Sequence, residues 1–306
     1  MDLVAKYAPE AEKLSIRQFC PPRCFEFSGR TLAFVMDDGE ETGDVVLEFR
    51  DDDELAWSVR NGQKTGTSRY YVHKCEDYTY LLSFNASEPR ENYVFVIDRE
   101  QELVTMLHCT LGENAYYPYL IQSHFTFGYI RIEGKPHTGK QRHGFTDDCT
   151  GTGIRWVYGH DNSTVHVYYC SNWYRIAYSR EGTSMNEITD DPVSDAAAAA
   201  NRLRQAMREL PGSDEPAYYV KIKDGIYIVS ATEQNMEKIL GAKMGFRSDT
   251  LLFLDNWNRM YSVGRGYGTM TREGSPDGEI FCMIGKYATQ PDIDEHMFTD
   301  ANPYLV

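Results

Sequence analysis

Short runs of alternating apolar and polar residues, broken by turn signals, fill most of this chain, and they occur twice in the same order. The stretch TLAFVMDDGEETGDVVLEFR, residues 31–50, holds two such runs around an acidic turn containing glycine, which predicts a hairpin. YYVHKCEDYTYLLSFNAS and NYVFVIDREQELVTMLHCT continue the pattern. After residue 145 it restarts. GIRWVYGHDNSTVHVYY (153–169) parallels the first hairpin, AYYVKIKDGIYIVSATEQ (217–234) parallels 69–86, and LLFLDNWNRMYSVGRG (251–266) parallels 94–109. Two meanders of about eight strands, each of roughly 130–150 residues, predict an all-β chain of two antiparallel barrels or one pseudo-symmetric pair. The copies divide near residues 1–140 and 141–306.

One segment departs from this cadence. DDPVSDAAAAANRLRQAMREL, residues 190–210, predicts a single inserted α-helix in the second half. Asp191 can cap it, Pro192 suits its first turn, and Pro211-Gly212 ends it. Its stripe of Leu203, Ala206, Met207 and Leu210 reads as packing surface.

Charge and cysteine usage narrow the function classes. A formal charge of −15 disfavours nucleic-acid and anionic-membrane partners, which select basic surfaces. Seven scattered cysteines contain no CxxC pair, so neither a disulfide framework nor a zinc ribbon is expected. The opening MDLVAKYAPEAEK has no apolar signal-peptide core, and no stretch is long enough to span a membrane as a helix. The expectation is a cytoplasmic chain.

Within KDGIYIVSATEQN (223–235), Tyr227, Val229, Ala231 and Glu233 share one side of a predicted strand. A glutamate ending an otherwise apolar row either sits at the wet end of the strand or points into a barrel. A strand-end glutamate is more often exposed, so burial of Glu233 needs independent support. His160 and His166 lie too far apart to be taken as a ligand pair, no HExxH motif is present, and no metal is expected. GRGYG (264–268) follows a strand without opening a helix and reads as a turn, not a phosphate loop.

The two-copy layout, with FTDDCTGTGIRWVYG opening the second half, resembles the molybdenum cofactor biosynthesis protein F (MoaF) family. That resemblance implies two tandem calycin or lipocalin-like barrels, and implies fold better than function. The second half also resembles the phenolic acid decarboxylases through IRWVYG, WYRIAY (173–178), DGIYIVSATE (224–233) and NRMYSV (258–263), in that order. These are single lipocalin-like barrels that need no cofactor. Their catalytic glutamate falls on Glu233, the surviving tyrosine of their first-strand pair on Tyr158, and a further pocket tyrosine on Tyr174. Trp156 replaces the other tyrosine of the pair, and Trp156, Tyr168, Tyr227 and Arg180 form the expected substrate-binding set. The family's carboxylate-binding arginine has no clean counterpart, Arg180 and Arg208 being the nearest. In the first half Phe34, Met36 and Ala86 stand where the reactive groups would be, so the active barrel is expected to be the second.

The resemblance implies a cofactor-independent lyase, decarboxylating a small phenolic or conjugated aromatic acid by general acid/base chemistry. Burial of Glu233 among aromatic groups would raise its pKa and let it carry a proton near neutrality. Two further readings stay open. One is a non-catalytic calycin holding a small hydrophobic or pterin-like ligand, or an isomerase, cyclase or hydratase on the same scaffold; the other is a structural pseudo-dimer. The partner expected is a small aromatic or hydrophobic molecule, and family resemblance suggests a homodimer.

Overall fold

The computed structural model describes residues 19–86, 90–112, 121–159, 162–177, 213–233, 246–272 and 275–289. All regular structure among them is β-strand. Contacts gather the chain into two compact units, Pro21–Phe145 with Val220–Tyr227 in one, and Met1–Cys20, Thr146–Tyr219 and Ile228–Val306 in the other. The helix expected over 190–210 lies outside the described residues, as does Arg180.

The first barrel is closed and contains eight strands. They are β1 (Thr31–Gly39), β2 (Gly43–Phe49), β3 (Glu54–Val59), β4 (Lys64–Glu76), β5 (Thr79–Ala86), β6 (Glu91–Asp98), β7 (Leu103–Leu111) and β8 (Ile121–Ile130). Each pairs antiparallel with its neighbour in sequence, and β1 with β8 closes the ring. The alternation that predicted strands is visible in β3, where Leu55, Trp57 and Val59 are buried while Glu54, Ala56 and Ser58 are half-exposed. Aromatic side chains fill its interior. Phe84 lies 5.6 Å from Trp57, 5.4 Å from Tyr93 and 6.2 Å from Phe95 between ring centroids, and Phe95 lies 5.8 Å from Phe34. Each such ring contributes roughly 2–3 kcal/mol by leaving water. Gly66, the register partner of Trp57, has no side chain because a methyl group there would strike the indole.

After a two-residue strand β9 (Gly144–Phe145), eight more strands form the second barrel. They are β10 (Thr152–Gly159), β11 (Asn162–Cys170), β12 (Trp173–Ala177), β13 (Ser213–Lys223), β14 (Ile226–Thr232), β15 (Phe246–Asn256), β16 (Tyr261–Arg272) and β17 (Ser275–Thr289). Pairing of β10 with β17 and of β12 with β13 completes the ring, and β9 adds to β13. The strands the sequence paired as repeats occupy matching places: β10–β11 repeats β1–β2, β13–β14 repeats β4–β5, and β15–β16 repeats β6–β7. Two tandem antiparallel barrels are therefore the architecture.

Candidate functional site

The interiors of the two barrels differ in chemistry. Phe34, Trp57, Phe84 and Phe95 pack ring against ring in the first, whereas the second sets His166, Asp255 and Lys286 among its aromatics. Register fixes which residues share its lumen: Trp156 opposes Thr164, Ile154 opposes His166, and Tyr174 opposes the fully buried Glu215. On the far strands, Phe253 opposes Gly264, and Asp255 opposes Ser262, which in turn opposes Lys286.

Two hydrogen-bonded groups lie in this lumen. The Tyr158 hydroxyl lies 3.2 Å from His166 Nε2 and accepts a hydrogen bond from Thr164 Oγ1 at 3.4 Å. Trp156 Nε1–H donates to the Tyr168 hydroxyl at 3.2 Å, and Tyr168 donates to Asp255 Oδ2 at 3.4 Å. Lys286 Nζ stands 3.4 Å from Asp255 Oδ1, with both side chains at 0% exposure. The ammonium is caged between two rings, 3.5 Å from the centroid of Phe253 and 4.2 Å from that of Trp156, positions suited to cation–π attraction.

Burial tunes these groups. Desolvation pulls Lys286 down to about 8 against the opposing pull of Asp255. It also holds His166 well below its usual range, helped by the Lys286 charge, so the imidazole is neutral near pH 7. Tyr158 is pushed up, first by desolvation and then by the negative charges of Glu233 and Asp255. His166 Nδ1 and Ser262 Oγ have no hydrogen-bond partner, and Lys286 Nζ and Asp255 Oδ1 have only each other. Buried polar atoms with unused capacity are uncommon and mark places where water or a ligand completes the network.

Of the residues singled out from sequence, Trp156, Tyr158, Tyr168 and Tyr174 are all buried in this one cluster, with His166 between them at ring distances of 5.1 Å from Tyr174 and 6.3 Å from Tyr168. Glu233 follows the last residue of β14 and is partly exposed, and its charge reaches Tyr158. Full burial of that carboxylate was the expectation; the end of the strand leaves it half in water. Tyr227 is buried at the other end of β14, six residues away, and both faces of that strand are buried. The alternation that set Tyr227 beside Glu233 therefore does not by itself define an inner row. Sequence reasoning passed over Asp255, Lys286 and Glu215 and set His166 aside. The signal lay in LLFLDNW and CMIGKYA, where one acid and one base interrupt otherwise apolar strands.

A second polar cluster lies at the end of the first barrel that carries the β1–β2 and β3–β4 turns. His108 Nδ1 is 2.8 Å from Glu41 Oε2, and its Nε2 is 3.4 Å from Glu91 Oε2. The imidazole stacks on Tyr93, with centroids 4.3 Å apart and planes 5° from parallel. Tyr93 donates to Glu91 at 3.0 Å, Lys64 pairs with Glu91, and Arg60 pairs with Glu41. Desolvation lowers His108 against the opposing pull of the Glu91 carboxylate. Glu91 is drawn down to about 2, since hydrogen bonds from His108 and Lys64 outweigh its desolvation.

The residues of this cluster all fall within one recognised family segment. Residues 11–113 match the family model described as the MoaF N-terminal domain. The resemblance expected from the two-copy layout holds over this part of the chain, and the described strands within the matched residues are β1 to β7 of the first barrel. The comparison with curated proteins gave no match. Among solved structures, a crystal structure from Burkholderia vietnamiensis, provisionally labelled a beta-lactamase, aligns over 36% of this chain and 98% of its own. Its identity is 16% and its TM-score 0.28, values too low to carry an argument. These matches do not extend to the phenolic acid decarboxylases. Among the described residues no helix is long and apolar enough to cross a membrane, and no group of His, Cys, Asp or Glu is arranged to hold a metal ion.

Proposed function

We propose that the second barrel is a cofactor-independent lyase that decarboxylates a small phenolic or conjugated aromatic acid. The observation that carries this reading is the buried cluster of Tyr158, His166, Asp255 and Lys286, in which burial perturbs the phenol, the imidazole and the ammonium and His166 Nδ1 has no hydrogen-bond partner. Perturbed ionisable groups gathered in an enclosed lumen are candidates for a functional site.

For a para-hydroxycinnamate the roles are as follows. Trp156, Phe253 and the tyrosines supply aromatic walls that exclude water from the ring. Lys286 attracts the substrate carboxylate, taking the part for which the decarboxylase resemblance left no arginine. The Glu233 carboxylate, beside Tyr158, accepts the phenol proton. Lys286, brought to about 8, donates a proton to the carbon next to the substrate carboxylate and yields a quinone methide. Loss of CO₂ returns the electron pair to the ring as phenolate, Glu233 gives its proton back, and Lys286 is reprotonated from water. The sum is one proton consumed, with a vinylphenol and CO₂ formed.

The test is incubation of the purified chain with a panel of hydroxycinnamic and dimeric phenolic acids, with vinylphenol products identified by chromatography. A second reading, a non-catalytic calycin that carries a small hydrophobic ligand, draws on the complete burial of Lys286 and Asp255, which shuts their charges away from solvent. Binding of panel members without any product would select it.

A further inference from the structure

The cluster at the mouth of the first barrel lies beside a pocket of about 420 Å³. Its lining includes Glu41, Arg60, Asn61, Gln63, Gln122 and His124. We propose that this pocket is a second small-molecule site, for an uncharged polyhydroxylated ligand of monosaccharide size. It stands apart from the proposed lyase in both location and chemistry.

The lining sets the ligand class. Carboxylate, guanidinium and amide groups are planar, and each can meet two adjacent hydroxyls at once, while an imidazole adds a single further contact. Among the residues that line the pocket there is no Phe, Tyr, Trp, Leu, Ile, Val or Met, so a phenolic acid would find no apolar wall there. Charge is matched locally as well. Arg60 offsets Glu41, Lys64 offsets Glu91, and His124 Nδ1 lies 2.5 Å from Glu40 Oε2. A neutral ligand leaves these pairs intact, whereas an anion or a cation would have to break one. The volume is at the low end of the usual range for ligand pockets, roughly 300–1,000 Å³, and suits a single ring.

The pocket is also built in advance. Glu41 is 8% exposed and is fixed from behind by His108, itself stacked on Tyr93 and facing Glu91. Arg60 and Asn61 both adopt left-handed backbone conformations, at φ 52° and 57°. For arginine that geometry is uncommon. It is held by Asn61, whose Oδ1 accepts the Asp44 N–H at 2.7 Å, and it directs Arg60 to Glu41. Rigid, prearranged donors and acceptors reduce the ordering cost of binding a small polar ligand.

The test is saturation-transfer NMR on the full chain with glucose, galactose, mannose and myo-inositol, each at about 10 mM to suit the millimolar affinity of a water-exposed polar site. The expected result is transfer to at least one of them. It should fall at least tenfold in Gln63→Ala/Gln122→Ala, two amides outside the Glu41–His108–Glu91 network, at unchanged thermal stability. Excess para-hydroxycinnamate should not compete. No transfer to any of the four compounds overturns the proposal, as does a signal equal in wild type and variant. Neither result bears on decarboxylation in the second barrel.

Discussion

Lys286 and Asp255 face each other across 3.4 Å in the second barrel, with no part of either side chain exposed to water. They belong to strands that do not neighbour one another, β17 and β15, and β16 between them contributes only Ser262 at that level. Two desolvated charges in a small barrel are costly, and their attraction repays the cost only in part.

That asymmetry predicts opposite outcomes for single and paired substitution. Lys286→Met strands the Asp255 carboxylate and should destabilise the protein by about 3–5 kcal/mol. Lys286→Met combined with Asp255→Leu should recover most of that loss and still leave no turnover. Urea denaturation midpoints of both proteins check the first point. A double variant no more stable than the single one would mean that the pair is not coupled as described.

The same lysine gives stability a pH dependence on the alkaline side. Folded, Lys286 releases its proton near 8; unfolded, it does so near its ordinary 10.5. Between those values the unfolded chain holds more protons, so this group's contribution becomes more favourable as pH rises from about 8 to 10.5. The melting temperature of wild type relative to the double variant, followed over that window, should rise.

Two histidines of the first unit act on the acid side. Burial brings His73 and His143 each to about 4. The unfolded chain takes up these protons near 6.5 and the folded chain only near 4, so their contribution is full above 6.5 and declines as pH falls to about 4. His143→Gln, which keeps a polar group near Thr105 Oγ1, should flatten the slope of melting temperature against pH in that window. An unchanged slope would assign the acid sensitivity to other groups.

Gly264 is where the cage around Lys286 is most sensitive to volume. A methyl group there would meet the Leu252 carbonyl oxygen and the Phe253 ring. Gly264→Ala should therefore cost about 1–3 kcal/mol, as overpacking does, and lower activity by moving Phe253 off the ammonium. Unaltered melting and unaltered rate would show that this wall gives way freely.

The repeat and its strands were legible because an alternation of two residues is a local signal that survives in every hairpin. That Phe34 and Met36 would be apolar wall was legible too, and both are buried. The pairing of Asp255 with Lys286 was not. Thirty-one positions separate them, and only the register of β15, β16 and β17 brings them level. Glu41, Glu91 and His108 were hidden for the same reason, because each comes from a different strand or turn. Acids near turns read as solvated until closure of the barrel brings them together.

The most direct test is the ultraviolet spectrum of para-hydroxycinnamate during incubation with wild type and with Glu233→Gln. The account predicts loss of the substrate's conjugated band with wild type and a rate at least about 100-fold lower in the variant, the scale of a lost acid–base group, while the variant still binds substrate. Equal rates in the two proteins, or no spectral change with wild type for any hydroxycinnamic acid, would contradict it.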